Sequence, residues 1–152
     1  MRRKMARIDQ GQCEHCRQVY NYMLLHSGFG DKAYAYCEAC GMLGILDAWN
    51  PRIKNMSVEI GWHHEINSDV EPFLLSCSCG GYFRKGAMPR CPHCMEPLSA
   101  EYAAVSIEKN APGTAKGWRW QKNWNGPYCM AIEDPSNPGK FRTMKDPLRQ
   151  DI

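Results

Sequence analysis

The chain has 152 residues, which suffices for one ordinary domain or two small ones. Charged residues make up 23% and hydrophobic residues 43%, a composition that is typical of folded globular proteins and excludes a disordered chain. The formal net charge of +3 comes entirely from residues 1–12, and the remainder sums to zero.

Nine cysteines are the outlier of this composition, and eight of them fall into four close pairs. The first residues contain no apolar segment of the kind found in signal peptides, and no apolar run in the chain is long enough to span a bilayer. We therefore expect a cytoplasmic protein with reduced thiols, in which paired cysteines indicate metal binding and not disulfides. The pairs are Cys13/Cys16, Cys37/Cys40, Cys77/Cys79 and Cys91/Cys94, and Cys129 is left over.

The first half of the chain divides into three segments. Residues 1–12 are a basic arm with little apolar content, which we expect to fray. Residues 13–50 contain three strand-like runs: an alternating run from 19 to 23, a tyrosine-bearing run from 32 to 36 with Tyr34 and Tyr36 on one face, and an apolar run from 42 to 49. Residues 51–74 form an acidic connector with a short alternating run at 58–62.

The second half also divides into three segments. Residues 75–110 hold the other two cysteine pairs and the best helix candidate, which starts with Ser99 as N-cap and ends near Asn110. In residues 111–133, Asn125-Gly126 lies between aromatic runs and predicts a basic, aromatic hairpin. Residues 134–152 are predicted to form an irregular tail. The expected fold is small, mixed α+β and mainly antiparallel β.

The cysteine pairs predict two metal sites with all eight paired cysteines as ligands. Two close pairs of thiolates make a tetrahedral four-sulfur cage, which suits zinc and, less often, iron. Pairing in sequence order joins Cys13/Cys16 to Cys37/Cys40 and Cys77/Cys79 to Cys91/Cys94. This pairing is favoured because it closes the shorter loops. Interleaved pairing is the alternative, and it would brace the whole chain into one domain.

The patterns CxxC…CxxCG in residues 13–41 and CxCGG…CPxC in residues 77–94 resemble the knuckles of zinc-ribbon and rubredoxin-like proteins. The resemblance implies structural zinc among small antiparallel strands, and hence two tandem zinc ribbons at 13–50 and 75–110. Rubredoxins use such knuckles for iron, but two dissimilar sites without another cofactor motif favour zinc. Eight thiolates and two Zn²⁺ would lower the net charge by 4, from +3 to −1. The basic balance is therefore no argument for nucleic-acid binding.

One enzyme signature is imitated in this chain. His63-His64-Glu65, followed by Cys91-Pro92-His93-Cys94, is similar to the HxE…PCxxC motif of zinc deaminases. Arg90 stands where that motif has proline, and Cys77 and Cys79 can complete a four-sulfur cage with no open position for water. We therefore expect that the protein is not an enzyme.

Two functions fit these patterns. The first is a protein-interaction adaptor, because the acidic connector and the basic aromatic hairpin offer complementary surfaces and partner-binding side chains. The second is nucleic-acid binding through the same hairpin and the basic arm. Neither a membrane nor a small-molecule substrate is expected, and packing of the tryptophans in the core is the alternative for these rings. The predicted partner-binding residues are Trp118, Arg119, Trp120, Lys122 and Trp124.

Overall fold

The computed structural model describes residues 8–27, 32–47, 49–56, 64–103, 105 and 123–150. Two 3₁₀ helices cover Pro51–Met56 and Ser68–Phe73. Among the helices in these ranges, none has the length and apolar character needed to cross a membrane. Seven strands are present in the same ranges: β1 (Ile8–Gln12), β2 (Val19–His26), β3 (Lys32–Cys37), β4 (Leu43–Asp47), β5 (Phe83–Arg84), β6 (Tyr128–Ile132) and β7 (Thr143–Lys145).

The strands form two sheets and confirm a mainly antiparallel fold. The first sheet has the order β1-β2-β6, with both pairings antiparallel. The second has the order β5-β3-β4-β7 and is antiparallel except for the β4/β7 pair. The predicted runs at 19–23, 32–36 and 42–49 correspond to β2, β3 and β4, while the predicted run at 58–62 lies outside the described residues.

Strand β3 lies between two hydrophobic cores. Successive side chains of a strand point to opposite faces, so Tyr34 and Tyr36 enter one core while Ala33, Ala35 and Cys37 enter the other. The first core also contains residues of β2 and β6, and the second contains residues of the 3₁₀ helices and of β5. Because both faces of β3 are covered, this strand reads as a nearly continuous buried run.

The described residues of the predicted arm and tail are more regular than the sequence predicts. Residues 8–12 of the predicted basic arm form β1, because they pair along their whole length with β2. The predicted irregular tail contains β7, which pairs in parallel with β4, and it also contains Leu148, which is 1% exposed in the second core. Both short strands depend on non-local pairing, which local sequence periodicity does not report.

The acidic connector is also a structural part of the second core. Ile53, Ile66, Val70 and Leu74 are buried there, although charged and polar residues surround them in the sequence. Asn67 caps the second 3₁₀ helix by accepting a hydrogen bond from the backbone N–H of Asp69 at 3.2 Å. The described parts of this segment, residues 51–56 and 64–74, therefore pack against the second core.

The predicted N-cap at Ser99 is present. Its hydroxyl accepts a hydrogen bond from the backbone N–H of Tyr102 at 3.2 Å, as an N-cap side chain does. Glu14 fixes the cap, because its carboxylate accepts from the backbone N–H of Ser99 at 2.6 Å and from the hydroxyl at 3.3 Å. Residues 100–103 and 105 are helical, and the rest of the predicted helix lies outside the described residues.

Trp124 belongs to the core, so its predicted role in partner binding is wrong. It is 3% exposed, and its indole N–H donates a hydrogen bond to the carbonyl of Leu98 at 2.8 Å. Its ring packs edge-on against Tyr36 with centroids 5.7 Å apart. After it, β6 pairs with β2, while the predicted first strand of the hairpin lies outside the described residues.

Replacing Trp124 by Ala is expected to lower the free energy of unfolding of the metal-loaded protein by about 3–5 kcal/mol, because it removes a buried ring and strands the carbonyl of Leu98. Trp49 is a matched control because it is 81% exposed, so Trp49→Ala should change stability by less than about 0.5 kcal/mol. Denaturant titration of both variants under identical conditions measures the difference. Equal destabilisation by the two substitutions would contradict the placement of Trp124.

Candidate metal centres

The eight paired cysteines form two groups of four, and in each group the four sulfurs lie within 4.8 Å of one another. The outer site contains Cys13, Cys16, Cys91 and Cys94. The inner site contains Cys37, Cys40, Cys77 and Cys79. Sulfur–sulfur distances of 3.5 to 3.7 Å join the two pairs of each group: Cys13 to Cys94, Cys16 to Cys91, Cys37 to Cys79 and Cys40 to Cys77. A tetrahedral metal with bonds of about 2.3 Å to sulfur has sulfur–sulfur edges of about 3.8 Å, so both groups fit such an ion.

The predicted pairing in sequence order is therefore wrong, and the two sites are nested along the chain. Sequential pairing needs β2 and β3 to form one hairpin, so that the first two knuckles meet at one end. Instead β2 pairs with β1 and β6, whereas β3 pairs with β4 and β5 in the other sheet. Each of the first two knuckles is the turn of its own hairpin, and the division into tandem ribbons is not confirmed.

Four similar backbone turns present the cysteines. In the three CxxC pairs, the carbonyl of the first cysteine accepts a hydrogen bond from the N–H four residues later, at 2.9–3.1 Å. In Cys77-Ser-Cys79 the same bond comes from Gly80, three residues later, at 2.8 Å. The shorter spacing thus keeps the turn and removes one residue from it. The residue after each pair has a positive φ: Arg17 (66°), Gly41 (76°), Gly80 (93°) and Met95 (63°).

Backbone N–H groups point at the sulfurs. His15 and Cys16 donate to Sγ of Cys13 at 3.3 and 3.5 Å, and Gly81 donates to Sγ of Cys79 at 3.3 Å. Burial opposes ionisation of the Cys13 thiol, but the N–H groups of His15 and Cys16, together with the contacts to Cys91 and Cys94, outweigh it and lower the pKa to about 7. Burial raises the pKa of Cys91 to about 12, so a cation is needed to hold all four sulfurs as thiolates.

Two histidines tie the halves of the outer site together reciprocally. Nε2 of His15 donates to the carbonyl of Pro97, and Nε2 of His93 donates to the carbonyl of Val19, both at 3.0 Å. Each accepting residue lies six positions after the first cysteine of the opposite pair. A carbonyl can only accept, so Nε2 carries the proton in both rings, and the histidines brace the knuckles while four sulfurs remain as the candidate ligands.

The inner site depends on a close approach at Gly81. A Cβ at this position would lie 2.8 Å from Sγ of Cys37 and 2.6 Å from Cβ of Ala39. Because real Cβ atoms do not approach other atoms so closely, only glycine lets the Cys77–Cys79 turn reach the Cys37–Cys40 turn. The Gly80-Gly81 pair in the sequence was the available signal for this contact.

The other predicted site residues lie elsewhere. Glu65 of the deaminase-like motif accepts a hydrogen bond from the backbone N–H of Gly86 at 2.8 Å, and His64 shares one with the hydroxyl of Ser27 at 2.8 Å. Cys129 is buried in the first core, where burial raises the pKa of its thiol to about 12 and keeps it neutral. Trp118, Arg119, Trp120, Lys122 and His63 lie outside the described residues.

These features define a mainly β protein with two four-cysteine groups that could each hold a metal ion. Residues 9–100 match the model of a family described as a domain of unknown function, DUF8255, and the chain belongs to that family. All eight paired cysteines lie within the match, whereas β6 and β7 lie beyond it. No curated protein and no solved structure matches the chain.

Two double variants distinguish nested from sequential pairing. Cys13→Ser with Cys91→Ser removes two ligands from one site of the structure, so one equivalent of tightly bound metal should remain. Cys13→Ser with Cys37→Ser removes one ligand from each site, so binding should weaken at both. Elemental analysis of the purified proteins after dialysis measures the stoichiometry. Sequential pairing predicts the reverse result.

Proposed function

We propose that the protein is a non-enzymatic, zinc-stabilised adaptor that binds another protein. The observation that supports this most strongly is that each group supplies four sulfurs, which together complete a tetrahedral coordination sphere. A closed four-sulfur site has no position for a substrate or a reactive water, and it serves to hold the fold together. A metal held this way supplies cross-links between distant segments, and the function then lies on the protein surface.

Zinc is the proposed ion at both sites. Thiolate-only tetrahedral sites suit zinc or iron, and only iron makes such a site redox-active and coloured. None of the nine cysteines forms a disulfide, and eight of them lie in the two four-sulfur groups, which supports a reducing compartment such as the cytoplasm. Elemental analysis should therefore give two zinc ions per chain and a colourless protein. A red protein containing iron would contradict this part of the proposal.

Trp49 supports a role in protein binding, because a large aromatic side chain that is 81% exposed is an unusual feature of a free surface. Its backbone is held firmly: the N–H of Trp49 donates to the carboxylate of Asp47 at 3.0 Å, and the N–H of Arg52 donates to the side chain of Asn50 at 3.0 Å. A tryptophan on a structured turn loses little conformational freedom when it binds, so it can serve as an anchor.

Removal of the metals should unfold the protein. The outer site borders the first core and the inner site borders the second, so neither core keeps its wall without its ion. We expect a strong chelator to abolish the strand signal in circular dichroism, and added zinc to restore it. An unchanged spectrum in the chelator, together with complete removal of zinc by elemental analysis, would contradict a structural role for the ions.

The adaptor role is tested by affinity purification of the tagged protein from its own cells. We expect one stoichiometric protein partner that is lost with Trp49→Ala and retained with Trp49→Phe, because phenylalanine keeps an aromatic anchor. Retention of nucleic acid instead of a protein, abolished by Arg119→Glu with Lys122→Glu, would overturn the adaptor in favour of nucleic-acid binding. Recovery of neither would reject both functions.

A further inference from the structure

Arg90 contacts the turns of both metal sites. Its backbone directly precedes Cys91, a candidate ligand of the outer site. Its Nη1 donates to the carbonyl of Met95 at 2.8 Å, where the outer Cys91–Cys94 turn ends. Its Nη2 donates to the carbonyl of Glu38 at 3.0 Å, within the Cys37–Cys40 turn of the inner site. One planar guanidinium therefore fixes a carbonyl of each site in a defined relative position.

The backbones of the two sites also touch at Gly41. This residue closes the Cys37–Cys40 turn with φ of 76°, and a Cβ on it would lie 2.4 Å from the backbone nitrogen of Arg90. The carbonyl carbon of Pro89 would be 3.1 Å from the same Cβ. Only glycine lets the segment that leads into Cys91 lie directly on the inner turn. Any movement of that turn therefore moves Arg90 and, one residue later, Cys91.

Charge favours a cation at this position. Four thiolates around a divalent ion leave a double negative charge, and both sites acquire this charge when they fill. Two anionic sites repel each other, whereas the guanidinium of Arg90 attracts both and is always protonated. Arg90 thus offsets a repulsion that exists only when both ions are bound.

The nested order of the sites predicts a small coupling between their metal affinities even without Arg90. The separation from Cys16 to Cys91 is 75 residues, and the inner separation from Cys40 to Cys77, which lies within it, is 37. Closing the inner site removes about half of the outer loop. Halving a flexible loop favours its closure by about threefold, so nesting alone predicts a weak positive coupling of this size.

We propose that Arg90 couples the two metal sites, so that filling one site raises the zinc affinity of the other by much more than the threefold factor that nesting alone predicts. The inference rests on the proposed zinc binding. A filled inner site fixes Glu38 and Gly41, which then hold Arg90 and place Cys91 ready to ligate. By linkage, the outer site raises the affinity of the inner site by the same factor. We expect a factor of about ten or more, within the usual range for coupled binding sites.

Zinc titrations against a chromophoric chelator measure this factor. Cys37→Ser with Cys77→Ser disables the inner site, and Cys13→Ser with Cys91→Ser disables the outer site, which gives the affinity of each site alone. The titration of the unmodified protein then gives the coupling. In Arg90→Gln, measured in the same three backgrounds, the factor should fall to threefold or less while two zinc ions still bind, because the repulsion between the filled sites is then no longer offset.

Two further variants make the test specific. Arg90→Lys keeps the charge, but one ammonium lacks the planar fork that reaches two carbonyls, so its factor should also fall to about threefold. A coupling factor in Arg90→Lys equal to that of the unmodified protein would show that charge alone suffices. It would overturn the role of the two hydrogen bonds from the guanidinium. Arg17→Gln removes an exposed arginine next to the outer ligand Cys16, and it should leave the factor unchanged. An equal loss in Arg17→Gln and Arg90→Gln would also overturn the proposal.

The titrations separate this inference from the proposed function. Failure of the unmodified protein to bind zinc would reject the function itself. Binding of two zinc ions with a factor of threefold or less would reject only the coupling. If Arg90→Gln binds no metal because it does not fold, Arg90→Lys carries the decision on its own, since it preserves the charge and most of the side-chain volume.

Discussion

Each four-sulfur group joins a hairpin from the first third of the chain to a turn much further along it. Along the chain the order is outer, inner, inner, outer, so the outer site closes a long loop that contains the inner site. Each site borders one of the two cores that β3 separates. Neither half of the chain contains a complete site, and both cores therefore depend on long-range closure of the thiol groups.

Local structure was readable from the sequence because it depends on neighbouring residues. Alternating patterns predicted β2 and β3 with its Tyr34/Tyr36 face, an apolar run predicted β4, and Ser99 was predicted as a helix cap. The pairing of the sites was not readable by the same reasoning, because loop length favours local closure while strand pairing decides the outcome. One signal did distinguish the sites: both outer pairs read CxHC, whereas glycine follows both inner pairs. The shared histidine serves a shared purpose, since each ring binds a carbonyl of the opposite knuckle.

Other differences from the sequence prediction have the same physical origin. Ile8–Gln12 carries little apolar content, yet it forms β1 because β2 offers it a paired edge, and Thr143–Lys145 forms β7 beside β4 in the same way. Trp124 was predicted on the surface from its basic neighbourhood, but Tyr36 and the carbonyl of Leu98 give it a buried partner on each side. Trp49 was predicted to end an apolar strand, but β4 ends at Asp47 and the ring of Trp49 is 81% exposed.

Nested ligation is the central claim, and cadmium-113 substitution tests it directly. Proton–cadmium correlation spectra connect each metal signal to the β-protons of its own cysteine ligands. The structure predicts two cadmium signals, one correlated with Cys13, Cys16, Cys91 and Cys94 and the other with Cys37, Cys40, Cys77 and Cys79. A signal that correlates with both the Cys13/Cys16 pair and the Cys37/Cys40 pair would contradict the nested arrangement.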